Sequence, residues 1–272
     1  MPEIQDIFAV FGDEYREKHR LSAVQHKAMN AIMNCRTERL GGHLDVCSEY
    51  GFTRPSYNSC RNRHCPKCQT IAKEKWINNQ KYDLLNVGYF HVVFTVPDTL
   101  NALILHNQEK LYNLLFRSVA ETLFELSKDK KYLGAAIGFT SVLHTWGQNL
   151  CFHPHVHCIV PSAGLTSDLR WKNSRKKFFL PVKVLSRKFR GKFLALLKGC
   201  LPKLEPQLMS ELYSKEWVVI VNRRLKQLAV WSNISEDIPI VLPFLTIEFS
   251  NSKAVWYISS GEITRITENG RS

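Results

Sequence analysis

A chain of 272 residues, 44% of them hydrophobic, can form one substantial core and a small accessory module. Its formal net charge of +13 and pI near 9.4 favour a polyanionic partner; with no run of about 18 apolar residues, nucleic acid is expected rather than a membrane. The first residues mix acidic and basic side chains without an apolar signal core, so a cytoplasmic protein is expected.

Residues 1–34 read as helical, with "SAVQHKAMNAIMNC" carrying apolar side chains at three- and four-residue steps behind a Ser22 cap. A turn-rich stretch to about residue 70 follows. "TIAKEKWINNQKYDLLN" reads as a helix and "YFHVVFTVP" as a strand stopped by Pro97. The next segment sets Ile104, Leu111, Leu115, Val119 and Leu123 on one core-facing helical stripe. "AAIGFTSVLHTWG" and "CFHPHVHCIVPSAGL" then read as neighbouring strands.

A basic tract follows, in which Leu185, Phe189, Phe193 and Leu197 make a helical stripe while Lys and Arg fill the other faces. Arg175, Lys176, Lys177, Arg187, Lys188 and Arg190 fit either a solvated surface or contacts to phosphates. The charge balance changes near residue 224: 33 Lys and Arg face 19 Asp and Glu before it, and four face five after it.

Five of the eight cysteines lie within residues 35–68, a crowding that points to metal before disulfides. Cys65-Pro66-Lys67-Cys68 is a two-residue knuckle that lets both thiolates reach one tetrahedral Zn2+. The expected set is Cys47, Cys60, Cys65 and Cys68, with Cys35, His43 and His64 as alternatives, because Tyr50 stands where a partner for Cys47 belongs. The bland reading is a group of reduced, buried cysteines. Arg61, Arg63 and Lys67 beside the cluster offer positive charge to phosphates.

In "CFHPHVHCIV", His153, His155 and His157 alternate with Pro154, Val156 and Cys158, so a strand points the three imidazoles to one face, a geometry that suits a metal. The bland alternative is a half-buried strand with satisfied imidazoles. A zinc hydrolase acting on small substrates is a further reading, but no HExxH motif or carboxylate cluster accompanies the strand.

"YNSCRNRHCPKCQ", "FHVVFTVP", "LHTWGQNLCFHPHVHCIVPSAGL" and "FFLPVKVLSRKFRGKFLALL" together resemble the rolling-circle insertion-sequence transposases of the HUH class, those with two nucleophilic tyrosines. The resemblance runs in family order over roughly residues 20–222. It implies an α+β fold: an antiparallel sheet flanked by helices, ferredoxin- or RRM-like, behind a helical and zinc-ribbon module. It further implies a bacterial protein that nicks single-stranded element ends, self-associates, and binds Mg2+ or Mn2+ through His155 and His157. His144 is the expected third ligand, with His153 and Gln148 as competitors.

The family places two tyrosines four residues apart on a helix after the basic tract, and here that region, "LKQLAVWSNISEDIPIVLPFLTIEFSNSK", has no tyrosine. Reverse translation of Trp231 to Ser250, read one base earlier with permitted codons, yields VEQYLGRYTHRIAISNHRIL, which restores that tyrosine pair across Asn233/Ile234 and Asp237/Ile238. A frameshift near residue 224 follows from this reading. The expected organisation is a zinc-binding DNA-recognition domain over 1–75, an incomplete nuclease domain over 76–224 and an out-of-frame, poorly packed tail over 225–272. The chain then binds metal and DNA with no catalytic tyrosine of its own; a non-catalytic regulator of the intact transposase is the alternative.

Overall fold

The computed structural model describes residues 3–82, 84–147, 151–174, 180–222, 245–249, 254–259 and 262–267, the last three segments as backbone. The chain divides into two compact units, the first ending after residue 83.

In the first unit, helices α1 (Ile4–Lys18) and α2 (Ala23–Asn34) are separated by the break at Ser22. The Ser22 hydroxyl accepts from the Gln25 amide at 3.3 Å, and the Gln25 side chain accepts from the Ser22 amide at 2.8 Å, a reciprocal cap that satisfies two otherwise orphaned donors. An exposed antiparallel hairpin follows, β1 (Gly42–Val46) on β2 (Thr53–Tyr57), its turn helped by Gly51 at φ +63°. Helix α3 (Pro66–Tyr82) starts at the cysteine knuckle. It runs unbroken through residue 75, the boundary expected from the sequence. Among the described residues, one buried cluster of the unit holds Ile32, Cys35 and Cys65, with Phe8, Cys60 and Cys68 packed against them, and Met29 and Ile77 are buried as well.

The second unit is built on a seven-stranded, wholly antiparallel sheet. Its strands are β3 (Tyr89–Thr95), β4 (Gly138–Trp146), β5 (Phe152–Pro161), β8 (Val219–Val221), β9 (Leu245–Phe249), β10 (Ala254–Ser259) and β11 (Glu262–Thr267), in the order β11-β10-β9-β4-β5-β3-β8. A short hairpin, β6 (Ala163–Leu165) with β7 (Trp171–Asn173), follows β5. The expected stripe of Ile104 to Leu123 is buried but divided at Asn107 between α4 (Asn101–His106) and α5 (Gln108–Lys128). Leu185, Phe189, Phe193 and Leu197 of α6 (Val182–Cys200) are fully buried, and α7 (Pro206–Ser214) adds Leu212.

Alternation along the strands gives the sheet two different faces. Phe90, Val92 and Phe94 of β3, Leu143 of β4 and Val156, Cys158 and Val160 of β5 enter one apolar core with α5 and α6. His91, His144, His155 and His157 therefore belong to the opposite face. This α+β architecture, with a cysteine cluster near the N-terminus, is the class the resemblance implied.

The backbone of β9 to β11 extends the sheet from β4, although no packed core was expected there. "LTIEF" and "AVWYIS" are rich in β-branched and aromatic residues, which favour strands whatever their origin. The region of the shifted-frame tyrosines, within 223–244, lies outside the described residues.

Candidate metal centres and nucleic-acid interface

The sulfurs of Cys35, Cys60, Cys65 and Cys68 all lie within 4.8 Å of one another. Cys68 Sγ is 3.5 Å from Cys35 Sγ and 3.6 Å from Cys60 Sγ. A tetrahedral ion with Zn–S bonds of about 2.3 Å separates its sulfurs by about 3.8 Å, so this quartet fits Zn2+ with little rearrangement. Each ligand has a local reason to be there. Cys35 caps the C-terminus of α2, Cys65 and Cys68 bracket the first turn of α3, and Cys60 precedes a turn in which Arg61 takes φ +51°. The Cys60 amide donates to Cys35 Sγ and the Asn62 amide to Cys60 Sγ, each at 3.5 Å.

Burial pushes the Cys65 thiol up to about 11 and raises Cys60 as well. Burial acts the same way on Cys68, but hydrogen bonds from the other three thiols and the Arg61 amide outweigh it and lower that pKa. A bound cation takes all four as thiolates, with release of the protons they carry.

Cys47, expected in this set, is exposed at the end of the β1–β2 hairpin. Backbone amides of Tyr50 and Glu49 lower its pKa, so its turn has the form of a knuckle, but exposed Tyr50 occupies the partner position and Cys35 takes the fourth place in the quartet. His43 instead lies 3.3 Å from Asp45, and His64 Nε2 meets Arg63 Nε at 3.2 Å.

In the second unit, ring nitrogens of His144, His155 and His157 lie within 4.8 Å of one another. Strand pairing produces this group: His144 of β4 sits directly across from His155 of β5, and Val142 across from His157. The His155 Nδ1–H donates to the His153 carbonyl at 2.7 Å, which leaves the lone pair on Nε2. Nε2 of both His144 and His157 is buried with no hydrogen-bond partner, an arrangement that costs free energy unless something fills it. Burial first, and the neighbouring imidazoles second, depress His144 to about 3 and His157 to about 2, so both are neutral and able to ligate at physiological pH. These three residues could hold a divalent cation. His153 is not part of the trio, and Gln148 lies outside the described residues.

Residues 7–96 match the model of the transposase zinc-binding domain of IS91 type, and residues 138–230 match a second model described as "Putative transposase". The chain thus resembles transposases in two separate stretches, its zinc-binding domain matching the IS91 type. A protein of Sinorhizobium fredii named "Putative transposase y4qJ" is 47% identical over 213 residues, which cover 78% of this chain and 54% of that protein. The "Transposase for insertion sequence element IS801" of Pseudomonas savastanoi pv. phaseolicola is 34% identical over 159 residues, 58% of this chain and 38% of that protein. The chain thus spans about half the length, or less, of these curated relatives. No solved structure matches it. The zinc-binding domain and the four-cysteine cluster within it together support a structural Zn2+.

The basic residues expected to meet phosphates divide into two groups. Lys67 pairs with Glu3 at 2.6 Å and donates to Gln5. Lys188 pairs with Glu125 at 2.6 Å, and Arg190 donates to the Lys215 carbonyl at 2.7 Å. Arg61, Arg63 and Arg187 are exposed, whereas Arg175, Lys176 and Lys177 lie outside the described residues. Among the described residues no helix is long and apolar enough to cross a membrane.

Sequence reasoning passed over one residue of the histidine face. His91 of β3 is buried, and its Nε2 lies 2.7 Å from His157 Nδ1. Strand alternation could have placed it on the face opposite Phe90 and Val92, but only the β3–β5 register brings it to His157.

Proposed function

We propose that this chain is the zinc-binding and nuclease portion of a rolling-circle transposase, able to bind metal and single-stranded DNA ends but lacking the tyrosine that attacks the phosphate. The observation that carries the reading is the trio of His144, His155 and His157 with two orphaned Nε2 atoms, in a chain that carries a transposase zinc-binding domain. The trio would hold Mn2+ or Mg2+, which when bound polarises a phosphate oxygen and stabilises charge developing on it. Three imidazoles are a softer donor set than Mg2+ prefers, which favours Mn2+ of the two.

A transferring tyrosine must give up its proton readily to act as nucleophile. Burial raises the pKa of Tyr89, and it pushes Tyr112 up to about 12. The Tyr89 hydroxyl lies 2.7 Å from the Leu85 amide, which donates to it. Neither is suited to attack. The frameshift reading supplies the missing group in another frame, and the fall in basic residues after position 224 supports it.

The test is incubation of the chain with Mn2+ and labelled single-stranded DNA carrying the element's end, followed by denaturing electrophoresis. Salt-sensitive binding without a covalent adduct is expected, and an adduct at a native tyrosine overturns the inactivity. The nucleotide sequence across codons 220–255 tests the frameshift separately: it must encode the tyrosine helix one base away. Occupation of element ends as a regulator of the intact transposase is a second reading, favoured by exposed Arg61, Arg63 and Arg187 in a chain whose sequence lacks the paired tyrosines of the expected helix. It fails if the chain binds neither single- nor double-stranded DNA in a salt-dependent way.

A further inference from the structure

Behind the histidine trio lies a hydrogen-bonded chain of groups that none of the chemistry above uses. His157 Nδ1 meets His91 Nε2 at 2.7 Å, and His91 Nδ1 meets the Asn222 carboxamide at 3.1 Å. The Asn222 amide also donates to the His91 carbonyl at 2.8 Å, so Asn222 grips His91 by backbone and side chain together. The His91 and His157 rings are nearly parallel, 23° apart with centroids at 4.9 Å, and both are buried.

We propose that His91 and Asn222 form a positioning relay that sets the tautomer of His157 and thereby decides whether its Nε2 can accept a cation. The inference rests on reading the trio as a metal site. A neutral imidazole carries one proton, so the relay has two self-consistent arrangements. In the first, the Asn222 NH2 donates to His91 Nδ1, His91 Nε2–H donates to His157 Nδ1, and His157 is left with a proton on Nε2. That proton would point from an atom with no acceptor, so this arrangement is both closed to a metal and poorly satisfied. In the second, the carboxamide is turned by 180° and its oxygen accepts from His91 Nδ1–H. His91 Nε2 then accepts from His157 Nδ1–H, and the lone pair of His157 moves to Nε2. The Asn222 carboxamide lies within reach of His91 Nδ1 in either sense, and the interchange needs only an amide turn and the shift of two protons along the chain.

This arrangement separates ligands from their support. His144, His155 and His157 face one another, while His91 meets His157 on its other ring nitrogen, so His91 is a positioning residue and not a fourth ligand.

The test measures Mn2+ affinity of the full chain with its zinc retained, by electron paramagnetic resonance, for the native protein and for His91→Phe, His91→Gln, Asn222→Leu and Asn222→Asp. His91→Phe is expected to weaken Mn2+ binding about 10- to 100-fold, the range for lost support of a ligating histidine. His91→Gln, which can accept through its side-chain oxygen, recovers part of the loss. Asn222→Leu weakens binding by a smaller factor, and Asn222→Asp, an acceptor only, binds at least as tightly as the native chain. Nitrogen-15 spectra of the imidazoles give an independent readout: metal loading must leave the His157 proton on Nδ1. Equal Mn2+ affinity of native and His91→Phe chains, with unchanged zinc content and circular dichroism, overturns the relay. If His91→Phe fails to fold, equal affinity of Asn222→Leu and Asn222→Asp does so instead. Failure of the native chain to bind Mn2+ at all sinks the metal site itself, and is distinct from either result.

Discussion

Four thiols in one unit and three imidazoles in the other are each gathered within 4.8 Å, yet the two clusters stand in opposite relations to their scaffolds. The thiols come from three segments, the end of α2, a loop and the start of α3, and among the described residues the buried cluster they share adds only Ile32 to the cysteines, with Phe8 packed against it. With so little apolar surface to bury, that unit needs the ion to hold it together. The imidazoles sit on β4 and β5, which are already fixed by strand pairing and by a large apolar core on the other face of the sheet. That scaffold does not need a metal; it keeps two unsatisfied nitrogens in place at a cost, as a site kept for function does. The first cluster is what maintains its unit, and the second is what its unit maintains.

Removal of zinc is the strongest way to break this contrast. Chelation, or Cys65→Ala, is expected to unfold the first unit, since structural zinc contributes on the order of 10 kcal/mol to such small domains. The second unit keeps its β-sheet signal. Limited proteolysis with zinc analysis checks both: α1 to α3 should be digested while β3 to β5 resist. Equal resistance of the two units would remove the distinction between them.

Acid should reverse the order of vulnerability within the second unit. His144 and His157 have native pKa values of about 3 and about 2, below the ordinary 6.5, so between those limits the unfolded chain binds protons that the native chain does not. Their contribution to stability is full above about pH 6.5 and is lost as pH falls toward 3, at up to about 1.4 kcal/mol per pH unit for each histidine. Hydrogen exchange of β5 amides in the metal-free second unit should therefore quicken steadily below pH 6.5. His144→Leu with His157→Leu should flatten the slope.

At neutral pH the same imidazoles should act in the other direction. Each orphaned buried nitrogen costs about 1 to 3 kcal/mol, so replacing His157 by Leu is expected to raise the thermal midpoint of the metal-free protein while it abolishes Mn2+ binding. The thiol quartet gives no such trade: Cys65→Ala loses metal and stability together. A His157→Leu chain that melts lower than the native one would show that the imidazole contributes packing, not strain.

Much of this was legible in the sequence because it depends on local periodicity. The buried stripes of α5 and α6, the Ser22 cap and the placement of His155 and His157 on one strand face all follow from spacing alone. What spacing does not show depends on tertiary closure. Cys47 and Cys35 are equally good thiols in sequence, and only the packing of α2 against the knuckle selects Cys35. For Lys188 and Arg190, both expected at phosphates, spacing does not show that α5 sets Glu125 beside the first or that the second meets the Lys215 carbonyl. His91 was hidden because its partner lies 66 residues away.

These engaged cations lead to the smallest expected effect. Lys192 as well as Lys188 reaches Glu125, and the pair lowers the Glu125 pKa through hydrogen bonds, so part of the basic face of α6 is neutralised against α5. Arg61, Arg63 and Arg187, by contrast, are exposed and can each release a counterion on meeting a phosphate. Replacing any one of the three by Ala should reduce the slope of log affinity for single-stranded DNA against log salt by about 0.7, and weaken binding to all sequences alike. Lys188→Ala should leave the slope unchanged, because the native ammonium already has a carboxylate partner. If Lys188→Ala and Arg187→Ala lower the slope equally, the Glu125 pair opens on DNA, and the charge that reaches the nucleic acid is larger than the free protein presents.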